Sequence, residues 1–389
     1  MSKFENTYLT WHGDVISNHA TAQYARGILK PLIKNGASVK INNINPYNKA
    51  PANLDKWWAK TLNENNTVPP GLVQICCCDP QHGARNEVGG ANILLTRWDT
   101  WKTPRSWIHP TNNLFTECWT PNEFSLSQER GDDLKIPTKV VPFGLEWTKY
   151  QKNKKRSTII GVPSDHLILG TTAAWNNKEN LSDLIIAYST EFSSKVDKVS
   201  LVIKIDCANP NEPNEKAKII KLVQEIKNLV TKPDLPTVVL IQDIFSQDGM
   251  NNIINAFDVY VSAARSKSKN ITMLKCLAAE KSAVFINSGV HQDYYEPEYK
   301  NMYPVNFVLE PVTQMAPMYT AIDLWPRPDV AHLMYQLRCA YNNWYIPSSK
   351  EYGKITSDGL KKKYNIDTIV NNVNKYIKDL TPAYDIMNA

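Results

Sequence analysis

No stretch of this chain reaches the ~18–20 consecutive apolar residues of a membrane span, so no membrane-crossing helix is expected. The opening residues, MSKFENTYLTWHGD, lack the apolar core of a signal peptide. No CxxC pair occurs among the seven cysteines, which removes the usual zinc spacing. Cys76, Cys77 and Cys78 stand in a row, unlike a disulfide ladder. Reduced, buried or half-buried thiols in a cytoplasmic protein are expected, in the host cytoplasm if the chain is viral. Neither sign of charge dominates. A formal net charge of +6 and a pI near 8.7 permit an anionic ligand or nucleic acid without requiring either. Glycine is scarce, at 15 residues, while Asn and Lys are plentiful, the bias an AT-rich coding genome would produce.

What is there is a globular composition. The hydrophobic fraction is 42%, and 389 residues exceed one ordinary core and fit two domains. The first part alternates strands and helices. TYLTWHG reads as a strand and loop, and ATAQYARGILKPLIKNG as an amphipathic helix closed by Gly36. ASVKINNI, GLVQICCC, ANILLTRWDT, ECWTPN and TKVVPFG follow as strands. The nearly unbroken apolar run of GLVQICCC suits a parallel strand buried on both faces. EWTKYQKNKKRST is polar, basic and aperiodic, and reads as a solvated interdomain crossing.

The alternation then restarts. HLILGTTAAW, VSLVIKI, TVVLIQDI and DVYVSAA read as strands. LSDLIIAYSTEF, EKAKIIKLVQEIKNLV and DGMNNIINAF read as the intervening helices. After Ser288 the chain reads as irregular and aromatic, followed by two late helices, DVAHLMYQLRCAYNNW and IDTIVNNVNKYIKD. No internal sequence repeat is evident. The expected fold class is α/β, with two Rossmann-like parallel-sheet domains facing a central cleft at the carboxyl ends of their strands.

One unit stands out chemically, VYVSAARSKSKNITMLKCLAAEKSAVFINSG. A hydrophobic strand ends in Arg265, Lys267 and Lys269, and a helix then starts near Asn270, a favourable N-cap. A helix N-terminus offers free N–H groups and partial positive charge. Arg265, Lys267 and Lys275 are therefore expected to converge on a diphosphate. A merely solvated basic loop is the competing reading.

The order of elements resembles the GT-B glycosyltransferases, most closely the large retaining group called family 4, over roughly residues 10–345. Five stretches carry the resemblance. GDVISNHATAQYARGILKPLIKNGASV is similar to that family's opening glycine loop, helix and strand. CWTPNEFSLSQ with PTKVVPFGLEW is similar to its "v-P-S" and "v-v-P-x-G-v" segments. GTTAAWNNKENLSDLIIAY is similar to its "K-G-x-x-x-L-I-x-A" element. INAFDVYVSAA and ITMLKCLAAEKSAVFINSG are similar to its last strand, helix and "P-V-I" strand.

The resemblance implies roles. Lys178 matches a lysine that contacts the donor diphosphate, with Thr172 near the place of a missing arginine. Lys267 and Lys275 occupy the two positions of the family's E-x7-E acids, and Lys only donates where Glu accepts. The two lysines would replace the lost arginine's charge, mark an unusual donor, or mark a site that no longer turns over. Gly13, Lys204, Asn270 and Thr272 complete the donor-binding candidates with Arg265. TRWDTWKTPRSWIH resembles a family pattern with an acid followed by Pro and Trp, so Asp99 is a catalytic candidate, with Pro104 and Trp107 behind it. His19 is the second catalytic candidate, and His12 beside Gly13 a related one. His82, Arg85 and Trp98 are acceptor-binding candidates.

The implied activity moves a hexose or pentose from a nucleoside diphosphate sugar, a uridine diphosphate sugar first, to an acceptor hydroxyl. No D-x-D triad occurs, so metal-free neutralisation by lysines and helix dipole is expected, with retention of configuration and no bound cofactor. The acceptor is either hydroxymethylated bases in phage DNA, reached by base flipping, or a polysaccharide, lipid, small molecule or protein. Rival readings are a catalytically degenerate GT-B protein that binds nucleotide-sugar or nucleic acid, and a GT-B epimerase or phosphorylase. The expected division is an acceptor domain over 1–150, a donor domain over 157–345, and helices over 346–389 that cross back to the first domain.

Overall fold

The structure, a computed structural model, describes residues 3–17, 20–44, 55–64, 70–127, 133–151, 156–206, 213–243, 245–313, 319–320 and 322–381. Its chain forms two compact units. One comprises Met1–Trp98, Lys102–Glu146 and Lys362–Ala389, and the other Asp99–Trp101 with Trp147–Lys361.

The first unit is built on a parallel sheet of β1 (Tyr8–Gly13), β2 (Ser38–Asn42), β3 (Val73–Cys77), β4 (Ala91–Leu95), β5 (Glu117–Thr120) and β6 (Thr138–Val140). Their spatial order is β2-β1-β3-β4-β5-β6. β3 is buried along its whole length, as the apolar run VQICC requires of a strand covered on both faces. The helix Ala20–Lys34 lays Ala25, Ile28, Leu29 and Leu32 against Trp11, Val39 and Ile75. The last helix, Ile366–Asp379, adds Ile369, Val370, Val373 and Ile377 to the same core.

The second unit repeats the plan with β7 (Leu167–Ala174), β8 (Val199–Asp206), β9 (Thr237–Ile241), β10 (Val259–Ser262), β11 (Ser282–Ile286) and β12 (Met302–Val305). All neighbours are parallel, in the order β12-β11-β10-β7-β8-β9. Each sheet has a point where the chain, having built outward to one side, returns to build on the other. In the first sheet it lies between β1 and β3, in the second between β7 and β10. The loops leaving the carboxyl ends of strands diverge at such a point, and ligands of open α/β sheets bind there.

Several stretches differ from the sequence expectation. The region after Ser288 is not irregular. It forms the helix Val290–Tyr294, β12, and an antiparallel hairpin of β13 (Phe307–Pro311) with β14 (Leu324–Pro328). Pro326 and Pro328 hid β14, because proline belongs only at sheet edges, and a two-stranded ribbon is all edge. The helices Lys56–Glu64 and Arg105–Leu114 stand where none was expected. A third late helix, Ser349–Tyr364, lies between the two that were expected. Its Gly353 and Gly359 weaken the helical signal. They serve packing instead, since a Cβ on either would strike Glu280 O or the Tyr299 hydroxyl.

Candidate functional site

The second unit's switch point is assembled from three loops. They follow β7, β10 and β11, and hydrogen bonds lace them together. Arg265 N donates to Lys178 O at 2.8 Å, and its side-chain Nε to Asn177 O at 2.9 Å. Asn180 Nδ2 donates to Ala263 O at 3.3 Å. Val290 N donates to Lys267 O at 2.9 Å. Gly289 makes that last approach possible: its φ is +63°, and a Cβ there would lie 2.5 Å from Lys267 O.

Asn270 organises the start of the helix Ile271–Ala278. Its Oδ1 accepts from Met273 N and from the Tyr260 hydroxyl, both at 3.1 Å. Its Nδ2 lies 2.8 Å from His291 Nε2, while His291 Nδ1 lies 3.1 Å from Ile286 O. A carbonyl only accepts, so Nδ1 carries the proton and Nε2 accepts from Asn270. Burial pulls the His291 pKa down to about 3, with Lys267 adding to the effect and the Ile286 bond opposing it. The imidazole is therefore a neutral strut at pH 7.

Around this strut, cations and carboxylates alternate. Lys178 Nζ lies 3.1 Å from Asp99 Oδ2, and Lys267 Nζ lies 2.6 Å from Glu179 Oε2. Arg327 Nε lies 3.3 Å from Asp183 Oδ2. Arg265 pairs with Glu310 of the hairpin and stacks 5.3 Å from the Trp325 ring centre. Burial lowers the Arg265 pKa, partly offset by Asp183. Thr172 and Thr272 share a hydrogen bond of 2.9 Å between their hydroxyls. Every cation of this group thus has a carboxylate beside it. Charge-assisted pairs of this kind hold their side chains in defined geometry.

The expected convergence of Arg265, Lys267 and Lys275 on one anion is not the geometry found. Arg265 is turned to the hairpin. Lys275 is 9% exposed, and its ammonium lies 5.6 Å from the Tyr150 ring centre, with Lys149 as the nearby charge. Burial brings its pKa down to about 8. Lys204 is 5% exposed on β8 and is already bonded to Asp206 Oδ1 at 2.8 Å and Ile205 O at 2.9 Å. The structure brings together Lys178, Asp99, Lys267, Arg265, Asn270 and Thr272, and leaves Lys275 and Lys204 in other company.

In the first unit, Gly13 ends β1 against Cys77 of β3, at that sheet's own switch point. His12 lies beside it, half-buried. Burial lowers its pKa, and a hydrogen bond with the His82 backbone opposes the shift. His82 and Arg85 are exposed in the segment after β3. Trp98 is buried at 3% exposure, so its face is packed rather than offered to a ligand. Pro104 precedes the helix Arg105–Leu114, in which Trp107 is buried. His19 lies outside the described residues.

Sequence reasoning missed Glu179, Asp183, Glu310 and Arg327. Asp183 had a local signal, because Asn180 followed three residues later by an acid is the pattern of a helix start. Here Asn180 Nδ2 donates to Asp183 Oδ2 at 3.0 Å. Glu310 and Arg327 sit on a hairpin that was not foreseen.

No protein-family profile matches the chain, and no curated protein matches it in sequence. Solved structures do match its shape. A glycosyltransferase from Rickettsia africae ESF-5 aligns with a TM-score of 0.65 at 12% identity, over 97% of this chain and 99% of that one. Sucrose-phosphate synthase from Thermosynechococcus elongatus aligns at 0.64 and 12% identity, over 97% and 100%. HepE from Anabaena, solved in complex with UDP, aligns at 0.61 and 10% identity, over 96% and 100%. At such identities the likeness establishes architecture. The two Rossmann-like units, each a six-stranded parallel sheet flanked by helices, are those of the GT-B glycosyltransferase fold.

Proposed function

We propose that this protein is a glycosyltransferase that moves a sugar from a nucleoside diphosphate to an acceptor hydroxyl. The observation that carries this reading is Lys178, held by Asp99 and tied through Arg265 N to the loop that leads into the Asn270-capped helix Ile271–Ala278, at the switch point of the second sheet. Cations and free N–H groups at one such point suit a diphosphate. HepE, which shares the fold, has been solved with UDP and with UDP-glucose, so uridine diphosphate is the first carrier to test.

On transfer, the bond between the anomeric carbon and the phosphate oxygen breaks, and its electron pair stays on the phosphate. Lys178 and the helix start stabilise the charge that develops there. Asp99 holds the Lys178 ammonium in place. The acceptor oxygen forms the new bond on the same face of the sugar, and its proton passes to the departing phosphate. That route gives retention and asks for no protein nucleophile. Lysines and helix dipole carry the neutralisation in this reading. Hydroxymethylated DNA heads the acceptors to try, ahead of glycans, lipids and small alcohols.

The test is calorimetric. UDP, UDP-glucose, GDP and GDP-mannose are titrated into wild type and Lys178→Ala, and product formation is followed with each sugar. One pair of these ligands should bind wild type. Lys178→Ala should lose about 1.5–3 kcal/mol, the size of a charge-assisted hydrogen bond. Binding without any transfer or hydrolysis would favour the binding-module reading. No binding at all would sink both.

A further inference from the structure

Among the carboxylates of the second unit's switch point, Glu179 is spent least. Asp183 accepts from Asn180 and Arg327. Glu310 takes Arg265 and the Trp325 indole N–H. Glu179 accepts from Lys267 through Oε2 alone, and among the described residues Oε1 has no hydrogen-bond donor. Its side chain is nine-tenths buried, at 9% exposure. A carboxylate offers about four acceptor sites, so Glu179 keeps acceptor capacity that Lys267 does not use.

Both members of the pair are held from behind. Glu179 N donates to Asn176 Oδ1 at 3.0 Å, and Lys267 O receives Val290 N at 2.9 Å. Lys178 is the next residue in the chain, so a ligand phosphate at its ammonium would bring the group attached to that phosphate to the neighbouring loop. A sugar is a dense array of hydroxyl donors. A fixed, acceptor-only group with a free oxygen suits it, and the Lys267 ammonium balances the charge without using that oxygen.

Building on the function proposed above, we propose that Glu179 is the specificity-determining residue for the transferred sugar. It accepts hydrogen bonds from the sugar's hydroxyls, and Lys267 acts as the positioning residue that aims it. The sequence resemblance puts lysine where an acid was expected, at Lys267. The geometry returns the acid from the facing loop.

The experiment separates sugar from nucleotide. UDP, UDP-glucose and its C4 epimer UDP-galactose, with GDP and GDP-mannose alongside, are titrated into wild type, Glu179→Gln, Lys267→Met and Lys267→Arg. Thermal unfolding checks that each variant is folded. Glu179→Gln should bind the bare diphosphate within about threefold of wild type, yet bind the matching sugar donor at least tenfold more weakly. It should also narrow the difference between the two epimers. Lys267→Met should show the same sugar-selective loss, and Lys267→Arg should recover most of it. Equal loss of diphosphate and sugar donor in Glu179→Gln would overturn the assignment, as would unchanged affinity for both. Should wild type bind none of these ligands, the glycosyltransferase reading itself fails, an outcome distinct from the other two.

Discussion

Lys275 carries a charge that burial disfavours. Its pKa of about 8 lies below the ordinary 10.5 because burial disfavours the charged form. A shift of that size corresponds to about 3 kcal/mol against folding at pH 7, partly offset by the Tyr150 ring. The sign follows from linkage. Between pH 8 and 10.5 the unfolded chain binds the proton that the native chain has lost, so stability rises with pH across that window. Lys275→Met is expected to stabilise the ligand-free protein by roughly 1–3 kcal/mol at pH 7, with the gain vanishing above pH 10.5. Urea unfolding at pH 7, 9 and 11 measures this. A variant less stable than wild type at pH 7 would mean the ammonium has a favourable role that burial conceals. The residues themselves were legible as a basic cluster. Their partners were not, because the pairs Lys267–Glu179 and Lys178–Asp99 join loops far apart in sequence. Only tertiary structure decides which carboxylate faces which cation.

The helix Ile271–Ala278 shows how much one cap can carry. Asn270 satisfies Met273 N, the Tyr260 hydroxyl and His291 Nε2 together. Losing an ordinary N-cap costs about 1 kcal/mol. Asn270→Ala should cost more, roughly 2–4 kcal/mol, because buried partners are left unpaired as well. The midpoint of chemical denaturation reads this directly, and a cost under about 1 kcal/mol would show that the network relaxes around the gap. Elements of this kind announced themselves. GLVQICCC reads as a buried parallel strand and forms β3, and Asn270 reads as a cap and is one. The hairpin did not. Phe307–Pro311 and Leu324–Pro328 pair antiparallel across a long connection, and β14 carries prolines at alternate positions. Neither a short turn nor a clean alternation marks it. Glu310, the partner of Arg265, was lost with it.

At the scale of the molecule, the two sheets were legible from strand–helix alternation as far as β11, whose predecessors are apolar enough to be read alone, while β12, with Pro304 inside it, read as irregular chain. The composition of the first core was not legible, because part of it comes from the far end of the chain. Ile369, Val370, Val373 and Ile377 lie in one hydrophobic cluster with Trp11, Leu29 and Val73. Ending the chain after Lys361 should therefore expose the first unit's core and leave the second unit's intact. Hydrogen exchange should show β1–β6 losing protection while β7–β12 keep theirs. Equal protection in both sheets would mean that the terminal helix is dispensable. The same helix sets a timetable during synthesis. Chains emerge from the ribosome amino end first, and most domains close in that order. Here the strands of the first sheet appear early and then wait for their last core residues. At roughly 5–20 residues per second that wait is on the order of tens of seconds. The second unit, built almost wholly from the continuous stretch Trp147–Lys361, can be complete before the first has closed. For that interval the nascent first sheet presents an apolar surface, and a chaperone that binds early in translation would find its substrate there.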